Sequence, residues 1–454
     1  MKKGDIVRVD IDSFTLPSSG SGVAEDGTRI KIKNALPGQT VMARITKKRG
    51  QRLEGRIEEI IKNAPDHIAP VCSADNQCGG CTFQTIPYQH ELDYKEAYIL
   101  KLLRGAWSGD LGYEGIIGSP GQHGYRNKME YSFGDDHPGG PLKLGMHETG
   151  SFYNIINTDN CLLTDADFDR IRSRILHYFQ DTGADYFHKR THKGLLRHLV
   201  VRKGAKTGEI LINLVTSSDG SFDREAFVNA LLALELDGTI NGIIHTTNDR
   251  EADAVIPEKT ETLYGTPLIH DSILGLHFEI SPFSFFQVNT EGAEELYSVV
   301  RDFAGDGRHQ TIYDLYCGTG TITQLLSERA EKVIGIELVE EAVDAARRNS
   351  QANGISHCEF IAGDVLKEAG ELKGDADLII LDPPRSGIHP KAIFKILDLD
   401  PDEYIYVSCN PESLARDIPF FTMRGYEIRR TKIVDMFPRT GHVETVVLLT
   451  KKDK

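Results

Sequence analysis

The 454-residue sequence lacks the features that mark membrane and secreted proteins. It has no apolar run of about 18 residues, the length that a membrane-spanning helix needs. Its start, from Met1 to Asp5, leads into a polar, alternating stretch instead of an apolar signal segment. Its seven cysteines are an odd count, and a reducing compartment disfavours disulfides, so metal binding or catalysis explains them better. We therefore expect a cytoplasmic, monomeric protein that does not enter a membrane.

The chain also lacks the positive net charge that is common among nucleic-acid-binding proteins, since its formal charge is −15. The charge is unevenly distributed. Residues 1–62 hold thirteen basic and eight acidic residues, a net of +5, so the remaining 39 basic and 59 acidic residues carry −20. Because salt screens charges over about 8 Å in the cell, a phosphate backbone responds to the local patch. The acidity thus excludes only indiscriminate nucleic-acid binding.

The hydrophobic and charged fractions, 40% and 26%, are typical of globular proteins, and the length predicts two or three domains. Short alternating segments with glycine and proline between them predict a small antiparallel β-barrel over residues 1–62. Residues 71–280 show mixed helix and strand patterns, which predict an α+β domain. From 281 to 454, helices alternate with buried strands, which predicts a doubly wound parallel sheet. The predicted strands of this sheet are 311–315, 332–336, 358–361, 376–381 and 404–408.

The first strand of this sheet ends in a glycine-rich turn that contains Gly318 and Gly320. Glycines let the backbone approach an adenosine closely, and Glu337, at the end of the second strand, can accept hydrogen bonds from ribose hydroxyls. Thr323 replaces the third glycine of a dinucleotide fingerprint, which favours S-adenosylmethionine because that cofactor has no pyrophosphate. Asp364, after the third strand, would then face the adenine amino group. The pattern predicts a methyltransferase.

The fourth and fifth strands end in residues that suit a base as methyl acceptor. Asp382 is followed by Pro383 and Pro384, which stiffen the loop and hold the carboxylate at the strand end. Cys409 follows the fifth strand. Uracil C5 is a poor nucleophile until a thiolate adds to C6, after which a base must remove the C5 proton. Glu444, just before the last apolar strand, is the candidate base.

Two other functions stay open at this point. The loop after Asp382 is also typical of enzymes that methylate the amino groups of adenine or guanine, in which case Cys409 is structural. Alternatively, the chain is an RNA-binding iron–sulfur protein with a degenerate methyltransferase domain. The intact set of Gly318, Gly320 and Glu337, together with the residues just named, argues against degeneracy.

Four cysteines lie outside the methyltransferase motifs, at Cys72, Cys78, Cys81 and Cys161. Thiolate ligands in a cytoplasmic protein indicate zinc or an iron–sulfur cluster. One CxxC pair, one wider gap and a distant fourth cysteine suit a cluster at least as well as zinc.

Two basic segments outside the barrel are candidates for RNA contact. Arg126 and Lys128 follow Tyr125, and Lys189 and Arg190 lie in a stretch with histidines. Cations next to aromatic or imidazole rings suit phosphate contact and base stacking. We expect these residues and the barrel to surround a cleft that takes a flipped uridine from single-stranded or loop RNA.

The combined motifs resemble the RNA (uracil-5-)-methyltransferase family, most closely its RumA-like branch that modifies 23S ribosomal RNA. The resemblance covers essentially the whole chain, with an N-terminal TRAM-like barrel. Its most specific motifs are residues 281–289 (SPFSFFQVN), 314–320 (DLYCGTG), 382–385 (DPPR) and 408–411 (SCNP).

The resemblance implies roles for individual residues. It implies that Gln287, Tyr316, Glu337 and Asp382 contact S-adenosylmethionine. It implies that Cys409 is the nucleophile and Glu444 the base, and that the four cysteines hold a four-iron, four-sulfur (4Fe-4S) cluster. It favours 23S ribosomal RNA as the substrate, with transfer RNA as the alternative.

Overall fold

The structure is a computed structural model that describes residues 1–252, 255–372 and 376–452. It opens with five strands, β1 (Ile6–Thr15), β2 (Ser19–Ala24), β3 (Arg29–Lys33), β4 (Thr40–Arg49) and β5 (Arg52–Lys62). They form a closed barrel in the order β1-β2-β3-β5-β4, which confirms the predicted barrel. Contrary to the prediction, the pairing is not antiparallel throughout, because β3 and β5 run parallel. In β3 the side chains of Ile30 and Ile32 are fully buried and alternate with exposed cations.

After the barrel come α1 (Tyr88–Ala106) and β6 (Tyr113–Ile117), followed by a seven-stranded sheet with the order β13-β12-β11-β10-β7-β8-β9. The side chain of Asp165 caps α2 by accepting the Asp167 N–H, and Gly183 ends that helix in a left-handed conformation. The elements of this region are β7 (Lys128–Gly134), β8 (Lys143–His147), β9 (Ile155–Asn157), α2 (Ala166–Thr182), β10 (Leu196–Lys203), β11 (Glu209–Thr216), α3 (Arg224–Leu232), β12 (Thr239–Thr247) and β13 (Lys259–Gly265).

The rest of the chain alternates strands and helices, as its pattern predicts. Its elements are β14 (Ile269–Ile273), β15 (Leu276–Ile280), α4 (Thr290–Phe303), β16 (His309–Leu315), α5 (Thr321–Leu325), a 3₁₀ turn (Ser327–Arg329), β17 (Ala330–Glu337), α6 (Glu340–Ala352), β18 (Cys358–Ala362), α7 (Val365–Glu368), β19 (Leu378–Leu381), α8 (Ala392–Leu397), β20 (Glu403–Ser408), α9 (Pro411–Met423), β21 (Tyr426–Val434) and β22 (Glu444–Lys451).

The large sheet has the order β18-β17-β16-β19-β20-β22-β21-β6. Its first five strands are parallel, which confirms the predicted doubly wound sheet. β22 runs antiparallel to β20. The first residue of β22 therefore lies at the edge where the parallel strands end.

The sheets divide the chain differently from the predicted boundary between residues 280 and 281. β6 pairs with β21, and Ile99 and Leu103 of α1 are fully buried in the core of the large sheet. The hairpin of β14 and β15 packs with α4 in the other core of that sheet. The large sheet therefore takes two separate segments of chain. In the described ranges, no helix has the length and apolar character that a membrane crossing needs.

Candidate active site

The ends of three parallel strands bring the predicted site residues to one edge of the large sheet. Leu315 of β16 pairs with Leu381 of β19, and Leu381 pairs with Tyr406 of β20. Tyr316 and Asp382, which follow the first two, therefore leave the sheet side by side. Ligands of such sheets bind beyond these strand ends.

The antiparallel pairing of β20 and β22 brings Cys409 and Glu444 together. The last residue pair of these strands is Ser408 with Thr445. Cys409 follows Ser408 and Glu444 precedes Thr445, so both side chains extend from the same pair at the same edge. Cys409 and Glu444 are 35 positions apart in the chain, and the register of the two strands alone brings them together.

Three carboxyl groups lie close together at this edge, and burial disfavours the ionised form of each. Loss of solvation raises the pKa of Asp314 to about 6, of Asp382 to about 7 and of Glu444 to about 8. Proximity adds to this effect, because Asp314 disfavours the charge on Asp382, and Asp382 disfavours the charge on Glu444. A cation bound between them would relieve this repulsion.

Asp314 has unused hydrogen-bonding capacity, although its side chain is fully buried. The Thr323 hydroxyl donates to its Oδ2 at 2.6 Å. Among the described residues, nothing donates a hydrogen bond to its Oδ1. A buried acceptor without a partner is costly, so this atom fits a ligand that brings a donor.

Cys409 lies in the turn between β20 and α9, and ionisation of its thiol is strongly disfavoured. Burial raises its pKa to about 12, and the carboxyl groups of Glu444 and Asp382 add to the increase. Arg385 opposes them and lowers the pKa of the thiol. The Asn410 side-chain amide donates to the Arg385 carbonyl at 2.9 Å, which ties the two loops together. The thiol therefore needs a nearby proton acceptor or an added positive charge.

The glycine-rich turn has the shape that an adenosine-type ligand requires. Gly318 has φ 55°, and a Cβ there would meet nothing within 4 Å, so the turn is open on this side. Gly320 has φ 77°, and a Cβ there would lie 2.6 Å from the Phe360 ring. The first glycine thus leaves room for a ligand, whereas the second is needed for packing. The Glu337 carboxylate accepts the Gly318 N–H at 3.1 Å, which places it at the turn.

A cavity of about 470 Å³ adjoins this turn and is lined by Tyr316, Asp364 and the loop 384–390. Tyr316 adopts φ 76°, a left-handed conformation that is strained for a tyrosine. The Asp364 side chain accepts the Leu366 N–H at 2.9 Å and so begins α7. Asp364, which is predicted to face the adenine amino group, is therefore a helix cap that also lines a ligand-sized cavity.

Gln287 lies close to the same group of acids. Its side-chain amide donates to the Tyr297 hydroxyl at 3.2 Å. Burial raises the pKa of Tyr297, and Asp382 and Glu444 raise it further. Asn127 holds the Gln287 backbone in place by donating to its carbonyl at 2.9 Å. The structure therefore brings Gln287 to the edge where the strands end.

The four predicted metal ligands line one cavity of about 550 Å³, which also contains Cys409 and Arg126. They are Cys72, Cys78, Cys81 and Cys161, and each is a free thiol. Burial raises the pKa of the Cys81 thiol to about 12. Across the ranges that the structure describes, no group of three His, Cys, Asp or Glu side chains is arranged to hold a metal ion. The structure thus brings the thiols to a common cavity without forming a single-ion site.

The structure separates the four predicted RNA contacts into two places. Arg126 lines the cavity of Cys409, and its Nε donates to the Lys128 carbonyl at 3.0 Å. Lys128 is partly buried, which lowers its pKa, and Arg202 lowers it further. Lys189 and Arg190 line a different cavity on the central sheet.

Sequence reasoning missed a buried ionic cluster that holds the loop leading to Glu444. Lys95 of α1 donates to Glu91 at 2.7 Å and to Asp435 at 2.8 Å, and all three side chains are fully buried. The Arg439 N–H donates to Glu91 at 2.8 Å, and the Arg439 carbonyl accepts the Thr82 N–H at 2.8 Å. The loop is therefore fixed to α1 and to the chain just after Cys81.

Asn289 and His442 were also missed. The Asn289 amide donates to the Met436 carbonyl at 2.9 Å, in the same loop. His442 contacts the Arg385 guanidinium at 3.3 Å, and burial together with nearby cations lowers its pKa to about 4. The signal in the sequence was their position, because both lie within motifs or loops that contain a predicted site residue.

The family model and the similar proteins that follow are all described as RNA methyltransferases. The sequence model described as tRNA (uracil-5-)-methyltransferase matches residues 269–452. An uncharacterized RNA methyltransferase of Clostridium acetobutylicum is 47% identical over 100% of this chain and 99% of its own length. One of Caldanaerobacter subterraneus subsp. tengcongensis is 46% identical over 99% and 100%. The structure of Pyrococcus abyssi tRNA (uracil-54, C5)-methyltransferase in complex with S-adenosyl-L-homocysteine is 25% identical and matches with a TM-score of 0.77, over 98% of this chain and 100% of that one.

Proposed function

The chain belongs to the RNA (uracil-5-)-methyltransferase family of class I S-adenosylmethionine-dependent enzymes, and on this premise we propose that it methylates C5 of a uridine through a covalent adduct on Cys409. The observation that carries the proposal is the pairing of Ser408 with Thr445, which places Cys409 and Glu444 next to each other at the carboxyl edge of the sheet. A thiol and a carboxyl group on adjacent strand ends suit a flat base that must be attacked at C6 and deprotonated at C5.

Each residue has a defined task in this reaction. The Cys409 thiol loses its proton to water, its sulfur forms a bond to C6 of the uracil, and the electron pair of the C5–C6 double bond moves to C5 and the O4 carbonyl. S-adenosylmethionine, when bound, would supply the methyl group to the electron pair at C5, and it would leave as the neutral thioether when its S–CH3 bond breaks. The Glu444 carboxylate then takes the C5 proton, the C5–C6 double bond reforms, and the Cys409 thiolate leaves.

Protonation states set the conditions for these steps. Glu444 must be ionised to take the C5 proton, yet burial raises its pKa to about 8. Asp382 and Cys409 are likewise held toward their neutral forms. A positive ligand beside these groups lowers all three pKa values, so a cationic cofactor prepares the site for the base and the nucleophile.

The residues that would hold the cofactor surround the open side of the glycine turn. We assign Gly318 and Gly320 to the turn itself and Glu337 to the ribose. Asp364 and Tyr316 would line the adenine side, with Gln287 and Asp382 near the methyl donor. The unpartnered Oδ1 of Asp314 supports a donor-bearing ligand at this place.

We propose that the four cysteines hold a 4Fe-4S cluster, with zinc as the less favoured alternative. Zinc needs its four ligands around one point, at about 2.3 Å from the metal. All four thiols line one cavity of about 550 Å³. A cluster is a larger body that takes thiolates from further apart. Its role would be to hold the cysteine loop and position RNA, since this methyl transfer needs no electron.

We propose a loop uridine of 23S ribosomal RNA as the substrate. Arg126 in the Cys409 cavity and the basic barrel are suited to the phosphates around a flipped nucleotide. Transfer RNA is the second candidate, because the structural neighbour from Pyrococcus abyssi is a transfer RNA methyltransferase that matches over 98% of this chain.

The proposal is tested by transferring tritiated methyl groups to total RNA and digesting the product to nucleosides. We expect 5-methyluridine as the labelled nucleoside. Label in the exocyclic amino group of adenosine or guanosine would instead support the amino-group reaction. Mass mapping of ribosomal and transfer RNA from a strain that lacks the protein, compared with its parent, then identifies which RNA loses the methyl group.

A further inference from the structure

A second cavity, of about 420 Å³, lies on the central sheet between the loop 148–154 and the segment 186–191. The loop presents two adjacent aromatic side chains to solvent. Phe152 is 64% exposed and Tyr153 is 59% exposed, and their rings are perpendicular with centroids 5.3 Å apart. Large aromatic side chains that stay exposed together are candidates for a binding surface.

Cations and further rings surround this aromatic pair. Lys189 Nζ lies 4.4 Å from the centroid of the Phe152 ring and donates to the Phe152 carbonyl at 3.4 Å. Arg190, which is exposed, lines the same cavity, where the rings of Tyr186 and His188 have centroids 4.1 Å apart. Flat rings for base stacking beside cations for phosphate are the combination that single-stranded nucleic acid recognises.

The loop 148–154 is firmly held and joins the two cavities. The Gly79 N–H donates to the His147 carbonyl at 3.2 Å, and the Thr149 N–H donates to the Gln77 carbonyl at 2.7 Å. The loop is therefore bonded to the cysteine loop that lines the Cys409 cavity. On its other side, Tyr153 lines the second cavity. The loop therefore lies between residues that line the two cavities.

Hydrogen bonds within the loop fix its shape before any ligand arrives. The Asn154 amide donates to the Glu148 carboxylate at 2.8 Å. The Ser151 hydroxyl accepts the N–H groups of Tyr153 and Asn154 at 3.3 and 3.0 Å. A preformed surface loses little conformational entropy on binding.

We propose that this second cavity is an RNA subsite, in which an unpaired nucleotide of the substrate outside the target uridine stacks on Tyr153, with Phe152 packed against the edge of the stack, while Lys189 and Arg190 contact its phosphates. The inference rests on the proposed function, because it assumes that the strand in the Cys409 cavity is RNA. The subsite would favour RNA that has a second single-stranded nucleotide near the modified one.

The test measures affinity for a labelled oligouridine of about 12 nucleotides, a length that spans such sites. The variant Phe152→Ala/Tyr153→Ala should weaken this affinity by about tenfold or more, since each stacked base contributes strongly. Tyr264→Ala is the matched control. Tyr264 is 40% exposed on β13, at the opposite edge of the same sheet, and this change should leave the affinity within about twofold.

Charge is tested in the same way. Affinity falls as salt rises, and Lys189→Ala should make the slope of log affinity against log salt shallower by about one. Lys259→Ala on β13 should leave this slope unchanged. Equal affinity of wild type and the Phe152→Ala/Tyr153→Ala variant for oligouridine overturns the subsite. The same result is expected if this surface binds a protein instead of RNA. The methylation assay on the wild type keeps the two claims apart. Uridine methylation with unchanged variant affinity refutes only the subsite, and absence of uridine methylation refutes the proposed function.

Discussion

Replacing Glu444 by glutamine should make the protein more stable while it stops turnover. The side chain is 4% exposed, and its pKa is raised from 4.5 to about 8. Below pH 4.5 the acid is neutral in both the folded and the unfolded chain, so it costs nothing. Between pH 4.5 and 8 only the unfolded chain ionises, and rising pH therefore favours unfolding.

The size of this effect follows from the two pKa values. At pH 7 the penalty is about 3 kcal/mol, because each pH interval of one corresponds to about 1.4 kcal/mol. A neutral glutamine removes the penalty. Glu444→Gln should thus gain about 3 kcal/mol at pH 7 and nothing near pH 4.

Urea unfolding of wild type and variant at a series of pH values measures the difference. Glu341→Gln, which changes an exposed carboxylate on α6, is the control and should show no comparable gain. On incubation with substrate RNA and cofactor, Glu444→Gln should also accumulate a methylated covalent protein–RNA species, because C5 proton loss is blocked. A variant that is no more stable than wild type at pH 7, or whose difference does not change with pH, would refute the reasoning about the buried acid. Weakened turnover without the covalent species would remove Glu444 as the base.

Three further changes test other parts of the site. Lys95→Met should destabilise the protein by about 3–5 kcal/mol in urea unfolding, because it leaves two buried carboxyl groups without their cation; Lys101→Met, exposed on the same helix, should have little effect. Arg385→Gln should raise the pKa of the Cys409 thiol further, so iodoacetamide should alkylate it more slowly at a fixed pH, and unchanged rates would contradict this. Cys161→Ala should abolish the brown colour and broad absorbance near roughly 400 nm of anaerobically purified protein and weaken RNA binding, with cofactor affinity unchanged; retained colour and RNA affinity would make Cys161 an ordinary thiol.

The sequence predicted the parts of the fold that depend on local pattern. The barrel follows from alternation, as in β3, and the parallel sheet follows from short buried strands such as β19. The addition of β6 and α1 to the large sheet was not predictable. These elements pair with β21 and α9, more than 300 positions away, and no local pattern encodes such a partner.

The candidate site shows the same division. Asp382 and Cys409 were predicted because each directly follows a recognisable strand, whereas the role of Tyr316 was implied by the family resemblance. Arg439 was not, because its importance comes from contacts with Glu91 and with the Thr82 backbone, distant in sequence and joined only in the folded chain. Likewise, the strained φ of 67° at Arg439 is a tertiary property.

Covalent attack by Cys409 is the step on which the proposed mechanism depends most directly. The measurement is denaturing electrophoresis of the protein after incubation with S-adenosylmethionine and substrate RNA that contains 5-fluorouridine, whose C5 fluorine cannot be removed as a proton. We predict a protein–RNA adduct that survives denaturation in the wild type and is absent in Cys409→Ala, while that variant still binds S-adenosylmethionine. Absence of the adduct in a wild-type preparation that methylates the unsubstituted RNA, or its persistence in Cys409→Ala, would contradict the proposed mechanism.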